Sequence, residues 1–160
     1  MKKSSKRSGT SAKPSPVGIE PLPPSANASW LRMRAALWPD QDPDELAREI
    51  DGLRTRPNFA VFGAKRGGTW IGFAEVGARN YAEGCMTSPV GFLEGIWVDA
   101  SARRQGVGRR LIDAAIAWAR EQGYREFGSD TVIDNTISQR VHLRLGFAEV
   151  ERLVAFRKEI

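Results

Sequence analysis

The sequence Arg103-Arg104-Gln105-Gly106-Val107-Gly108 lies between an apolar strand pattern and the clearest helix pattern of the chain. A helix that begins at glycines presents unpaired backbone N–H groups at the positive end of its dipole, and a ligand can approach the bare backbone closely. This arrangement suits a pyrophosphate, and Arg103, Arg104 and Arg109 can add charge-assisted hydrogen bonds. A relaxed helix start with solvated arginines is the alternative, because short glycine motifs are weak signals.

The same loop disfavours two common phosphate ligands. It does not match the phosphate-binding loop that ends in Gly-Lys-Ser/Thr, nor the Gly-x-Gly-x-x-Gly of dinucleotide-binding proteins. ATP and NAD are therefore poor candidates for this chain.

Hydrophobic periodicity on both sides of the loop predicts a mixed α/β domain. The predicted strands cover residues 17–22, 59–65, 69–78, 92–99, 126–132 and 148–158, with Gly67-Gly68 as a hairpin turn. The predicted helices cover residues 25–37 with Ser25 as N-cap, a segment that begins at Asp42-Pro43, residues 105–122 and residues 135–145. We expect an α+β fold with a mixed, largely antiparallel sheet flanked by about four helices.

Charge is distributed unevenly along the 160 residues. Residues 1–16 contain Lys2, Lys3, Lys6, Arg7 and Lys13 and no acid, so the other 19 basic residues balance all 19 acids. The tail, residues 1–16, is too polar to bury surface and is predicted to be disordered, whereas residues 17–160 are predicted to form one domain. A nucleic-acid-binding module is disfavoured because the folded part is neutral.

Cysteine content indicates the redox compartment of the protein, and hydropathy indicates whether a segment can span a membrane. The single cysteine, Cys85, cannot form an intrachain disulfide and fits a reducing cytosol. No segment approaches the roughly 20 apolar residues that cross a bilayer, and no signal-peptide pattern follows the basic start. We expect a cytoplasmic protein with no metal site, since no group of metal-ligating residues has suitable spacing.

A second pattern occurs in the helix predicted from residue 135. Asn135-x-x-Ser138-x-x-Val141-His142-x-x-x-Gly146-Phe147 resembles the Asn-x-x-Ala-x-x-Leu-Tyr-x-x-x-Gly-Phe helix of the GNAT superfamily of N-acetyltransferases. Arg103-x-x-Gly106-x-Gly108 resembles the acyl-CoA pyrophosphate loop of that superfamily, and the resemblance covers residues 17–160. It implies a GNAT-like fold with acetyl-CoA as co-substrate. The implied acetyl-CoA-binding residues are Ile96, Trp97, Val98, Asp99, Arg103, Arg104, Gln105, Gly106, Val107, Gly108, Arg109, Asn135 and Ser138.

Shorter stretches narrow the resemblance to the aminoglycoside 6′-N-acetyltransferases. They are Leu37-Trp38-Pro39, Phe92-Leu93-Glu94-Gly95-Ile96, Ser129-Asp130-Thr131 and Asn135-Thr136-Ile137-Ser138-Gln139. The resemblance implies direct acetyl transfer in a ternary complex to the 6′-amine of an aminoglycoside antibiotic, hence resistance, and a homodimer. An acetyl intermediate on Cys85 suits the motifs less well. Transfer to another amine, such as a polyamine or a protein N-terminus, and an inactive acyl-CoA sensor stay open as alternatives.

Acidic residues are the expected partners of a polycationic acceptor. Glu94 lies in an apolar strand pattern, on the face shared by Phe92 and Ile96, where a buried carboxylate needs a partner. Asp130 lies at the end of a predicted strand, and in α/β proteins ligand-binding sites commonly lie at strand ends. A structural salt bridge is the alternative for Glu94, and an ordinary turn is the alternative for Asp130. By resemblance, both bind the acceptor's amino groups, and one accepts the proton of the attacking amine through water.

The resemblance also adds aromatic and acidic acceptor residues and a candidate acid. Trp38 and Tyr81 are implied to be walls for sugar rings, and Glu151 is implied to reach the acceptor across a subunit interface. His142 stands where the superfamily commonly has the tyrosine that protonates the leaving thiolate, and an imidazolium can donate the same proton. A hydrogen-bonded, purely structural histidine is the alternative.

Overall fold

The computed structural model describes residues 15–160. Its helices and strands, in chain order, are β1 (Val17–Pro21), α1 (Asn27–Leu37), α2 (Pro43–Thr55), β2 (Phe59–Arg66), β3 (Thr69–Arg79), β4 (Val90–Val98), α3 (Val107–Glu121), β5 (Phe127–Ser129) and α4 (Thr136–Arg144). Short 3-10 helices, Pro24–Ala26 and Ala100–Ala102, precede α1 and α3. The predicted disordered tail lies outside the described residues, apart from its last two positions.

The five strands form one sheet in the order β1-β2-β3-β4-β5. The first four strands are antiparallel to their neighbours, and β5 is parallel to β4. This confirms the predicted mixed, largely antiparallel sheet. Gly67 and Gly68, with φ of 53° and 86°, form the β2–β3 turn in the left-handed conformation that glycine adopts without strain.

Helices cover both faces of the sheet. On one face, α1 and α2 bury Trp30, Met33 and Ile50 against Phe73 of β3. On the other face, α3 buries Val107, Leu111 and Ile112 against Ala74 and Leu93. Each of these helices buries one face: Leu46 and Ile50 of α2 and Leu111, Ala115 and Ala119 of α3 are all buried. Within residues 15–160, no helix is long and apolar enough to cross a bilayer.

Strand β4 contains a β-bulge at Glu94. Glu75 of β3 pairs with Gly95, whereas the next residue, Val76, pairs with Leu93, so Glu94 is the extra residue of the bulge. A side chain on Gly95 would meet the Trp38 ring of α1. Glu94 and Gly95 therefore both face the α1/α2 side, which an unbroken strand does not permit.

The bulge corrects one prediction about Glu94. Phe92 pairs with Gly77, whose vacant side-chain position lies 3.2 Å from Glu94 Oε1, so Phe92 and Glu94 share a face as predicted. Ile96, in contrast, packs in the core beneath α3. The prediction is wrong for Ile96 because one extra residue reverses the alternation that follows it.

Two predicted local features are also wrong. Helix α1 begins at Asn27 with Ala26 as N-cap and no side-chain cap, because the 3-10 helix Pro24–Ala26 takes up Ser25. The predicted last strand, residues 148–158, has no regular secondary structure. A strand needs a partner backbone, and the neighbouring edge strand β5 spans only three residues. The alternating pattern of residues 148–158 is present, but no strand within residues 15–160 pairs with it.

Candidate active site

The sheet opens between β4 and β5. The two strands pair only from Gly91 to Leu93. Beyond Leu93, β4 continues to Val98 with β3 on one side and, within the described chain, no strand on the other. The Asp99 N–H donates to the Ile71 carbonyl of β3 at 2.8 Å. Because peptide groups alternate along a strand, those of Val98 and Ile96 point to the open side. This gap can hold an extended chain that carries amide groups.

Helix α3 begins beside this gap without a side-chain cap. Its N-cap, Gly106, has φ of 78° and provides no capping hydrogen bond, so the first N–H groups of the helix have no partner within it. A Cβ on Gly106 would meet nothing within 4 Å, and one on Gly108 would meet only Val98 Cγ2 at 4.0 Å. Packing within the protein does not require glycine at 108, and the space above both residues suits a phosphate group.

Internal hydrogen bonds hold the loop before α3 in place. Asp99 accepts from the Ser101 N–H at 2.9 Å and from its hydroxyl at 2.6 Å, and these bonds lower the Asp99 pKa. Gln105 Nε2 donates to the Ser101 carbonyl at 2.8 Å. Arg103 Nε donates to the Val98 carbonyl at 2.9 Å. Asp99, Gln105 and Arg103 therefore shape the loop, and the other guanidinium nitrogens of Arg103 can still reach an anion.

The remaining predicted cofactor residues lie on α3, at the start of α4 and in the loop before α3. Arg109 Nη2 donates to the Arg144 carbonyl at 2.9 Å, which ties α3 to the end of α4. Asn135 is the N-cap of α4 and accepts from the Ser138 N–H at 3.0 Å. Arg104, with φ of 58°, is exposed at the turn of the loop.

His142 uses both ring nitrogens. Nδ1 lies 2.8 Å from the Ser138 carbonyl oxygen, which can only accept, so Nδ1 carries a proton. Nε2 lies 2.9 Å from the hydroxyl of Ser129, the last residue of β5. No role for Ser129 was predicted from the sequence, although its position at a strand end before Asp130 is a usable signal.

Arg79 joins the two predicted acceptor carboxylates. Its Nη2 lies 2.5 Å from Glu94 Oε2 and its Nε lies 3.3 Å from Glu94 Oε1. Its Nη1 lies 4.0 Å from Asp130 Oδ2. The Glu94 side chain is 16% exposed and that of Asp130 is 75% exposed. Sequence reasoning missed Arg79 because an arginine between a strand and a polar loop looks like a solvated side chain.

A buried network supports the wall beside Glu94. The Trp38 ring lies against Gly95, and the Arg34 guanidinium lies 4.9 Å from the ring centroid. Glu75 Oε1 accepts from Trp30 Nε1 at 2.8 Å and from Arg34 Nη1 at 3.1 Å. Burial raises the pKa of Glu75 to about 7, because it outweighs the opposing effects of Arg34 and Trp30. Neither Arg34 nor Glu75 was predicted from the sequence to belong to the site.

A cavity of about 630 Å³ lies beside Arg79, and neither Glu94 nor Trp38 is among the residues that line it. Arg79, Asp130, His142 and Glu151 are among the residues that line it. Tyr81 is 69% exposed on the loop after β3 and is absent from the lining. No three His, Cys, Asp or Glu residues of segment 15–160 are grouped to hold a metal ion. The structure thus brings Asp130, His142 and Glu151 to one cavity.

Comparison with known proteins agrees with this arrangement. The acetyltransferase (GNAT) family matches residues 26–147. The chain is 43% identical over 146 residues to aminoglycoside N(6')-acetyltransferase type 1 of Klebsiella aerogenes, which covers 89% of this chain and 96% of the relative. It is 46% identical over 134 residues to the protein of that name from Serratia marcescens, which covers 82% of this chain and 92% of the relative.

A solved structure shares the fold. AAC(6')-Iy in complex with the bisubstrate analogue CoA-S-monomethyl-acetylneamine matches with a TM-score of 0.87 at 39% identity, over 91% of this chain and 100% of that chain. The family match spans most of the described residues, including the open edge of the sheet and the uncapped helix start. This chain belongs to the GNAT family of acetyltransferases.

Proposed function

We propose that this protein transfers the acetyl group of acetyl-CoA to the 6′-amine of aminoglycoside antibiotics and thereby gives resistance to them. One observation carries the proposal: Glu94 and Asp130 converge on a single guanidinium, at 2.5 Å and 4.0 Å, beside the open edge of the sheet. Two carboxylates that converge on one cation suit an acceptor with several ammonium groups. The relatives from Klebsiella aerogenes and Serratia marcescens are aminoglycoside N(6')-acetyltransferases, which supports an aminoglycoside as the acceptor.

The chain fits acetyl-CoA, which supplies the acyl thioester. The N–H groups of Val107 and Gly108 and the side chains of Arg103, Arg104 and Arg109 hold the diphosphate. The peptide groups of Ile96 and Val98 face the gap and pair with the amide-containing arm of acetyl-CoA. Trp97 of β4 and Asp99, the residue after β4, flank these peptide groups. Gln105 and Gly106 shape the loop, and Asn135 and Ser138 line the arm from the start of α4.

The acceptor is held by charge and by aromatic surface. Glu94 and Asp130, which share Arg79 as a partner, bind its ammonium groups. Glu151 lines the same cavity as Asp130 and adds a third carboxylate. Trp38 and Tyr81 contact the apolar faces of the sugar rings. Binding by fixed carboxylates orients the 6′-amine toward the gap between β4 and β5, which lowers the entropic part of the barrier.

Transfer is direct, within one ternary complex. The amine nitrogen forms a bond to the acetyl carbon as the carbon–sulfur bond breaks, and the amine proton passes through water to Glu94 or Asp130. The imidazolium form of His142 donates its Nε2 proton to the leaving sulfur and becomes neutral, with its remaining proton on Nδ1. The Ser129 hydroxyl orients Nε2. Since Nδ1 is held by the Ser138 carbonyl, Nε2 is the nitrogen that exchanges this proton.

A thiol-release assay with acetyl-CoA tests the proposal. Acceptors are aminoglycosides with a 6′-amine, matched aminoglycosides without one, and polyamines. The expected result is turnover with the first group only. Equal turnover with the second group, or turnover with polyamines alone, would contradict it, and binding of acetyl-CoA without any turnover would indicate an inactive sensor.

We also propose that the protein is a cytoplasmic homodimer. Val150, Leu153, Val154 and Phe156 are exposed in a segment, residues 148–160, that has a strand-like alternation but no strand partner within the described chain. A second copy can supply both the backbone partner and the apolar cover. The free thiol of Cys85 and the need for acetyl-CoA favour the cytoplasm.

A further inference from the structure

Arg79 occupies the place that the proposed function gives to the acceptor. Its guanidinium forms two hydrogen bonds to Glu94, at 2.5 Å and 3.3 Å, and lies 4.0 Å from Asp130. An acceptor ammonium that binds Glu94 needs the same carboxylate oxygens. The free protein therefore already holds a cation where a cationic substrate must bind.

The surroundings of Arg79 keep it charged and in place. Its Cζ lies 3.5 Å from the centroid of the Phe92 ring, a cation–π contact. Burial lowers the pKa of Arg79, but the hydrogen bond and charge of Glu94, followed by the charges of Asp130 and Glu83, outweigh it and raise the pKa overall. Arg79 is thus a permanent positive charge among three carboxylates.

The Arg79 side chain also has room to move. It ends strand β3, its side chain is 37% exposed, and it lines the cavity of about 630 Å³. Rotation about its terminal bonds can release Glu94 while the guanidinium stays near Asp130 and Glu83. A partly exposed ion pair is a modest barrier to such a change.

We propose that Arg79 is an internal competitor of the acceptor: its guanidinium neutralises Glu94 in the free protein and is displaced from Glu94 when an acceptor ammonium binds. The inference rests on the proposed function and adds a residue that sets the apparent affinity for the acceptor. The alternative is that Arg79 holds Glu94 in position. In that case the acceptor binds only while the Arg79–Glu94 pair stays intact.

Arg56 provides a matched control. Its Nη2 lies 3.9 Å from Glu94 Oε1, without a hydrogen bond, and its side chain is 42% exposed. Replacing either arginine by methionine removes one positive charge near the same carboxylate. Only the Arg79 replacement removes a cation bonded to the Glu94 oxygens.

The test measures KM and kcat for an aminoglycoside with a 6′-amine in the wild type, Arg79→Met and Arg56→Met. For Arg79→Met we expect KM to fall roughly two- to tenfold, kcat to change less than KM, and the acetyl-CoA Kd from calorimetry to stay the same. The effect should persist at about 0.5 M salt, where long-range attraction is screened. Arg56→Met should change KM less than twofold by the same reasoning.

Several results would overturn the inference. A higher KM in Arg79→Met would show that Arg79 positions Glu94, and an unchanged KM would show that Arg79 has no role in acceptor binding. If KM falls equally in Arg56→Met, the effect comes from net charge and not from the displaced guanidinium. If Arg79→Met does not fold, Arg79→Lys replaces it, and its KM should lie below the wild-type value because lysine lacks the paired donors. A wild type that acetylates no aminoglycoside refutes the proposed function itself, which distinguishes the two failures.

A spectroscopic measurement observes the displacement directly. In protein labelled with ¹⁵N-arginine, the Nε–H signal that is missing in Arg79→Met belongs to Arg79. We expect this signal to shift when the aminoglycoside is added to the complex with coenzyme A. An unchanged Arg79 signal at saturating aminoglycoside would contradict displacement.

Discussion

Ser129 Oγ lies 2.9 Å from His142 Nε2 at the point where β5 ends and the sheet opens. The other ring nitrogen donates to the Ser138 carbonyl at 2.8 Å. A histidine held this way keeps one orientation and one exchangeable position, and it faces the cavity that Asp130 lines. The hydrogen bonds to Ser129 and Ser138 that fix the His142 ring are therefore compatible with donation of a proton from His142.

His142→Gln is expected to lower kcat by about 10²-fold or more, because glutamine cannot donate a proton to the leaving sulfur. The acetyl-CoA Kd should be unchanged. Steady-state thiol release and calorimetry measure the two quantities. Arg140→Ala, an exposed change on the same helix, is the control. Wild-type kcat in His142→Gln would leave His142 with a structural role only.

Glu94→Ala and Asp130→Ala are expected to raise the acceptor KM and to lower kcat/KM by at least about tenfold, because each removes a charge-assisted contact to an ammonium group. Acetyl-CoA binding should remain largely intact. Asp113→Ala, an exposed acid on α3, serves as control. If both variants keep wild-type turnover, the acceptor assignment is wrong.

Gly108→Ala should separate stability from cofactor binding. The added methyl group meets only Val98 Cγ2 at 4.0 Å, and alanine favours the helix, so the free energy of unfolding should stay the same or rise by up to about 1 kcal/mol. The Kd for coenzyme A should rise at least about tenfold if a diphosphate approaches this backbone. Chemical denaturation and calorimetry provide the two readouts, and unchanged coenzyme A affinity would argue against the proposed cradle.

Glu75 should make stability depend on pH. The pKa of Glu75 in the folded protein is about 7, against an ordinary value of 4.5. Between these two pH values the folded protein keeps the Glu75 carboxyl protonated, whereas the unfolded chain does not. The associated stability is fully present below pH 4.5 and is lost as pH rises through 7. Relative to Glu75→Gln, the wild type should lose about 3 kcal/mol of unfolding free energy between pH 4.5 and pH 8. Urea unfolding of both proteins measures the difference, and a constant difference across this range would contradict the shifted pKa.

Phe156→Asp is expected to convert the proposed dimer to a monomer. Phe156 is 92% exposed, so the change should cost the isolated fold little, whereas a charge in an apolar contact between copies is unfavourable. Light scattering measures the mass of both proteins. Lys158→Asp tests whether added negative charge in the same segment has this effect by itself. A wild type that is monomeric at high concentration would refute the dimer.

Local patterns in the sequence were enough for most of the fold. The stripe of Leu46 and Ile50, the Gly67-Gly68 turn and the helix that starts at Gly106 each depend on residues within a few positions of one another. Side-chain period, turn chemistry and glycine's backbone freedom act over that range, so they can be read before any contact is known. The resemblance to acetyltransferases likewise rested on short contiguous motifs.

The tertiary structure decided what depends on distant partners. The bulge at Glu94 arises from pairing with β3, and it turns Ile96 to the opposite face. Arg79 links Glu94 to Asp130 only because β3, β4 and the end of β5 meet at one edge. The segment from residue 148 has the pattern of a strand and lacks a partner strand in the described chain. Strand pairing and ion pairing require two groups from separate parts of the chain, and a one-dimensional pattern carries no information on which groups meet.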